Sequence, residues 1–96
     1  MSELVIIAIA QAKPGFEAAL VKAQSELVAI VRELPGCIRY ELNESLEQPG
    51  QVVFVERWRD QAAWESHRRG PHMDAFRAKA GAMIGAFELL LMHQVA

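Results

Sequence analysis

With a single cysteine, Cys37, among 96 residues, the chain can form no internal disulfide and no zinc site built from several thiolates. Three histidines remain as metal candidates, His67, His72 and His93, and none falls in a recognised ligand spacing; no metal and no cofactor are expected. Positive charge is also scarce. Ten Lys and Arg against twelve Asp and Glu give a formal net charge of −2. Without a basic excess there is little to displace counterions from a phosphate backbone, which argues against nucleic acid as partner; Arg57, Arg59, Arg68 and Arg69 read as a solvated face. Long hydrophobic runs are missing. Leu4 to Ala10 is too short for a membrane span or a signal-peptide core, and no basic region precedes it, so a soluble, cytoplasmic protein with no membrane partner is expected. Aromatic residues are only 7% of the chain. Yet both tryptophans and two of the three histidines fall between Trp58 and Phe76, in WRDQAAWESHRRGPHMDAF, a plausible rim for a small-molecule pocket.

The size suits one domain, residues 1–96. Leu4-Val-Ile-Ile-Ala-Ile-Ala10 is short, apolar and rich in β-branched residues, which predicts a buried strand. After Lys13-Pro14-Gly15, Phe16, Leu20, Ala23, Leu27, Val31 and Leu34 recur at helical spacing, and Pro35-Gly36 ends that helix. From Cys37 to Glu44 the chain alternates, with Ile38, Tyr40 and Leu42 on one side and Arg39, Glu41 and Asn43 on the other. Gln48-Pro49-Gly50 makes a turn into a third strand, Val52 to Trp58, completing a hairpin. Asp60 stands at an N-cap position. The helix it opens stops at Gly70-Pro71, and Pro71 begins a further helical piece carrying Met73, Phe76, Ala80 and Met83, broken at Gly85. Phe87 to Val95 forms the last strand. The order β-α-β-β-α-β predicts an α+β, ferredoxin-like fold: a four-stranded antiparallel sheet with helices on one face.

A sheet with one face in water alternates apolar and polar residues. Val5 to Ile9, Val52 to Val55 and Leu89 to Met92 do not. Both faces therefore need cover, and a second copy packed sheet to sheet supplies it, so a homodimer through the sheet face is expected.

Taken in order, Lys13-Pro14-Gly15, Pro35-Gly36-Cys37 with Tyr40 and Leu42, then Glu56, Trp58, Asp60, Ala63, His67 and Gly70-Pro71-His72-Met73 with Phe76 resemble the antibiotic biosynthesis monooxygenase (ABM) superfamily of dimeric α+β barrels. The chain is most similar to its small quinol-monooxygenase-like members. The resemblance implies a monooxygenase that oxidises an electron-rich aromatic, a quinol or anthrone-like phenol, with dioxygen and without metal or flavin. Such chemistry needs a dry aromatic pocket and a base or hydrogen-bonding group at the phenol oxygen. Haem-degrading relatives carry a histidine iron ligand on the last helix and an asparagine on the first strand. Here the helix reads Ala75-Phe76-Arg77-Ala78 and the strand has no asparagine, so haem degradation is not expected. Two other readings stay open: a proton-shuttling isomerase of a small hydroxy-carbonyl metabolite, and a non-catalytic dimeric ligand-binding or stress-response domain.

On this reading the catalytic candidates are His67, Tyr40 and His72. His67 shares a helix face with Trp64 and is either the base or hydrogen-bonding group at the substrate oxygen or a helix-end imidazole bonded to a free carbonyl. His72 lies at a helix start, where the dipole disfavours its charged form; it pairs with His67 or bonds the Gly70 loop. Tyr40 is buried, its hydroxyl in the pocket or on backbone. Trp58, Trp64, Phe76 and Glu56 are the substrate-binding candidates. Glu56 shares a face with Phe54 and Trp58, and a buried carboxylate must be paired or protonated; Arg39 or another arginine is its expected partner, with proton transfer the alternative.

Overall fold

A computed structural model describes residues 3–96, so the first two residues of the expected domain lie outside the described residues. The elements are β1 (Leu4–Ala12), α1 (Glu17–Val31), β2 (Cys37–Glu44), β3 (Gln51–Trp58), α2 (Gln61–Arg68), α3 (Pro71–Ala80), a 3-10 turn (Gly81–Met83) and β4 (Ile84–Met92). The strands form one sheet in the order β2-β3-β1-β4, with every neighbouring pair antiparallel. This is the ferredoxin-like arrangement, its second helix divided in two. Among the described residues no helix is long and apolar enough to cross a membrane.

Strand periodicity sorts the side chains of β1. Ile6, Ala8, Ala10 and Ala12 are buried beneath the helices, while Val5, Ile7 and Ile9 on the opposite face are half-buried. In β3, Val52, Phe54, Glu56 and Trp58 point inward. The core has two clusters. One gathers Ile6, Leu27, Tyr40, Phe54, Trp58 and Trp64; the other is built from Ala10, Ala12, Leu20, Ala23, Val52 and Ala80. Bulky aromatics crowd one end and small residues let helices approach closely at the other. Ala8 lies between these regimes, and its short side chain leaves space above the sheet.

Two chain reversals place the helices that cover this space. Gly36, at φ +83, turns the chain into β2, and its carbonyl accepts a hydrogen bond from the Arg59 amide at 2.8 Å. A Cβ there would come within 2.5 Å of the Ala63 Cβ, so glycine is required by both conformation and space. At the end of β3, Asp60 is extended and its Oδ1 accepts from the Ala63 amide at 2.8 Å, an N-cap that launches α2 back over the sheet.

The structure changes several sequence expectations. Ile38 does not share the inner face with Tyr40 and Leu42: Cys37 pairs with Trp58 and Arg39 with Arg57, so Ile38 is the extra residue of a β-bulge and is exposed. Phe16 precedes α1 and is exposed rather than packed. Helix α3 ends at Ala80, not at Gly85, and β4 starts at Ile84 and ends at Met92, so His93 to Val95 lie beyond the strand.

Candidate active site

The inward residues of β3 are the floor of the site. Glu56 pairs with Ile6 on β1 and Tyr40 on β2, so the carboxyl is flanked on both sides and is buried. Two residues on, Trp58 faces the same way, and its indole Nε1 donates to Glu56 Oε1 at 2.9 Å. Arg39 does not answer Glu56, because its guanidinium lies 3.0 Å from Glu41; both belong to the outward set of β2. An indole N–H satisfies one oxygen without supplying charge. Burial therefore dominates and raises the Glu56 carboxyl to about 7, the Trp58 hydrogen bond opposing it.

Above Trp58, α2 brings His67. The two rings stack at a centroid distance of 4.8 Å and 19° between planes, and Tyr40 meets the imidazole edge-on at 5.7 Å. His67 Nδ1 lies 2.9 Å from His72 Nε2, with the two imidazoles themselves stacked. One nitrogen of this pair donates and the other accepts, which leaves His67 Nε2 for a ligand. Gly70 permits the pairing: a Cβ there would meet the His72 ring at 2.5 Å. Burial, and then the neighbouring His72, Arg77 and Arg68, lower His67 to about 4. Burial and Arg77 lower His72 as well, Asp74 opposing them. The pair is neutral at neutral pH. Burial, reinforced by the Glu56 carboxylate, pushes the Tyr40 hydroxyl up, so Tyr40 keeps its proton at neutral pH and has it available to donate.

Glu56, His67 and Tyr40 converge on one cavity of about 300 Å³ between the helices and the sheet. Its apolar walls include Ala8, Leu27, Phe54, Trp64, Phe76 and Leu89. Arg68 and Arg77 stand at its solvent side, already engaged: Arg68 lies over the Trp64 ring at 4.5 Å, and Arg77 bonds Asp74 and the Arg68 carbonyl. Of the seven residues singled out from sequence, five reach the cavity wall. Trp58 does not; it lies fully buried under His67 and acts on the cavity through the imidazole and Glu56. His72 lines a separate outer groove with Pro35, Ser66 and Gly70, and His67 borders both spaces.

Among the cavity residues outside the sequence candidates, Gln24 stands out. Gln24 of α1 is 2% exposed, lines the cavity, and holds an Oε1 with no hydrogen-bond partner. The signal was present: position 24 is four residues after Leu20 and three before Leu27, so a polar side chain sits on the apolar stripe. Among the described residues there is no group of three or more His, Cys, Asp or Glu side chains that could hold a metal ion.

The chain has relatives in sequence and in fold. Residues 4–79 match the family model for antibiotic biosynthesis monooxygenase. Rv0793 of Mycobacterium tuberculosis, named as a candidate monooxygenase, is 31% identical over 83 residues, covering 86% of this chain and 81% of that protein. YcnE of Bacillus subtilis, named in the same way, is 28% identical over 83 residues, or 86% of this chain and 87% of its own length. The crystal structure of PA3566 from Pseudomonas aeruginosa superposes with a TM-score of 0.94 at 29% identity, covering 100% of this chain and 97% of that one. Matched in sequence from β1 to the last turn of α3, the chain belongs to the antibiotic biosynthesis monooxygenase family.

Proposed function

We propose that the protein is a cofactor-independent monooxygenase acting on an electron-rich phenol of quinol or anthrone type, bound in the cavity with its reacting hydroxyl at Glu56 and His67. The observation that carries this reading is the pairing of a carboxyl near neutrality with a neutral imidazole inside apolar walls.

Magnitudes decide which group takes the proton. A phenol comparable to tyrosine, near 10, gives its proton to a group at about 7 at a cost of ~4 kcal/mol, and to one at about 4 at a cost of ~8 kcal/mol. Glu56 is the better acceptor by several kcal/mol, and His67 is the neutral hydrogen-bonding partner that orients the phenol. Once the proton has moved to Glu56, the phenolate passes one electron to dioxygen. The resulting radicals join at a ring carbon bearing hydrogen, and the peroxide anion so formed takes the proton back from Glu56 to give a hydroperoxide. Its O–O bond breaks as water leaves, and the carbon becomes a carbonyl. One oxygen atom enters the product, the other leaves as water, and the substrate supplies all the electrons. Water exclusion by Trp64, Phe76 and Leu89 keeps the charged intermediate from being quenched early.

The other face of the sheet is assigned to a second copy of the chain. Val5, Ile7, Ile9, Val53, Leu90 and Met92 lie there in register across three strands, with no helix above them among the described residues. A standard interface covers ~800 Å² on each partner, which a self-complementary apolar sheet face about a two-fold axis supplies.

Oxygen uptake with 1,4-dihydroxynaphthalene, corrected for its spontaneous oxidation, tests the reading. Enzyme-dependent uptake that falls by at least ~100-fold in Glu56→Gln is expected, the scale of a lost general base. Turnover of small hydroxy-carbonyl compounds under argon, with no enzyme-dependent oxygen uptake on the quinol, would place the protein among isomerases instead.

A further inference from the structure

Gln24 has no place in the chemistry above, yet it is the most anomalous polar residue of the cavity. Its side chain projects from α1, within the stripe that packs Leu20, Ala23, Leu27 and Val28 onto the sheet. Gln24 Oε1 is the one buried side-chain oxygen or nitrogen among the described residues that lacks a hydrogen-bond partner. Leaving an amide oxygen unmatched in an apolar interior is unfavourable, and an apolar residue of the same shape would remove the cost. The neighbouring stripe positions are all apolar. A glutamine there makes physical sense where something outside the chain completes it; the residue borders the cavity that also holds Glu56 and His67, and because Oε1 itself is closed to water in the ligand-free chain, a ligand meets it through a turn of the amide toward that cavity.

We infer that Gln24 is a specificity-determining residue of this cavity, accepting a hydrogen bond through Oε1 from a donor group of the bound aromatic other than the hydroxyl that faces Glu56 and His67. The site then reads two donors at once, one from the β3 floor and one from the α1 wall. An aromatic with a single hydroxyl leaves one of these acceptors desolvated and unmatched, and a site built for a hydrogen-bonded group rejects an analogue that lacks it far more strongly than a greasy pocket rejects an extra one. The cavity volume of about 300 Å³ is at the lower end for ligand sites, which suits a compact fused-ring aromatic with donors on opposite edges. This inference rests on the cavity assigned under the proposed function, but not on the oxygenation step.

The test is binding without turnover. Under strict anaerobiosis, quenching of tryptophan fluorescence reports titration with 1,4-dihydroxynaphthalene and with 4-methoxy-1-naphthol, which has one donor fewer. The wild-type protein binds the diol at least ~10-fold more tightly than the monoether, as one unmatched buried acceptor predicts. In Gln24→Met, diol affinity falls by a similar factor and the preference collapses to within ~2-fold, while the ligand-free variant melts no lower than wild type because an orphaned oxygen has been removed. Gln24→Leu repeats the test with a second apolar shape should methionine fit poorly. Equal binding of the two compounds by wild type, binding of neither, or a preference that survives in both variants would overturn the inference. So would a large drop in melting temperature in both variants, which would mark Gln24 as structurally satisfied. Gln24-dependent binding without enzyme-dependent oxygen uptake in air refutes the oxygenase reading and leaves this one standing.

Discussion

Glu56 gives the sharpest test of the site's electrostatics, because its protonation is linked to folding. Its carboxyl stands at about 7 in the folded chain against an ordinary 4.5. Between those values the folded state holds a proton that the unfolded state has released, so stability falls as pH rises through the interval. Ionising the buried group rather than its solvated counterpart costs about 3 kcal/mol, at ~1.4 kcal/mol for each tenfold change in the proton equilibrium. Glu56→Gln keeps an oxygen to accept from Trp58 Nε1 and cannot ionise. The variant is therefore predicted to gain about 3 kcal/mol on wild type between pH 4.5 and pH 8, or ~10–20 °C in melting temperature for a domain of this size. His67 acts in the opposite sense: lowered to about 4, it makes folding more favourable as pH rises toward its ordinary value. Present in both proteins, it cancels in the difference, as do the lowered carboxyls of Glu26 and Asp60. Urea unfolding of both proteins at pH 5 and pH 8, at fixed protein concentration, measures the quantity. A difference that changes by less than ~0.5 kcal/mol between the two pH values would show that Glu56 titrates like a surface carboxylate, and the proton-transfer argument would fail with it.

Other outcomes follow from the same geometry. His67→Phe retains the stack on Trp58 but removes both ring nitrogens, so turnover should drop by ~100-fold or more while unfolding free energy moves by no more than ~2 kcal/mol; retained turnover would mark His67 as packing. Gly70→Ala suits the local backbone, at φ −73 and ψ 157, but its Cβ displaces the His72 ring, so the imidazole NMR signals of His67 and His72 should uncouple with the fold intact. A charge on the uncovered face, Ile7→Asp, should convert a dimer to a monomer in sedimentation at micromolar concentration, since a buried unpaired carboxylate costs several kcal/mol; a wild-type monomer under those conditions would refute the assigned interface.

Most of the scaffold was legible because it rests on local rules. The short apolar, β-branched run of β1, the helical stripe of α1, the Asp60 cap and the Gly70-Pro71 break each have a cause within a few residues, and the sheet order follows from the element order. What was not legible depends on register across the sheet. The bulge that expels Ile38 arises from how β2 meets the end of β3, and no spacing within β2 reveals it. Arg39 was a reasonable partner for Glu56 by charge alone, but strand alternation turns it to the opposite face. The site divides along the same line. Glu56, Trp58 and His67 drew attention by residue type, whereas the stacking of Trp58 under His67 needs α2 folded back over β3. Gln24 was missed because a single polar residue on an apolar stripe reads as noise until its oxygen is seen to lack a partner.

The central claim is that one oxygen atom of dioxygen enters a phenolic substrate held at Glu56 and His67. Turnover of 1,4-dihydroxynaphthalene under oxygen-18 gas, followed by mass spectrometry of the early product, tests it most directly. One labelled atom per product molecule in wild type, with its enzyme-dependent formation abolished in Glu56→Gln, is the predicted result. An unlabelled quinone formed with hydrogen peroxide, or labelled product formed equally fast by the variant, would contradict it.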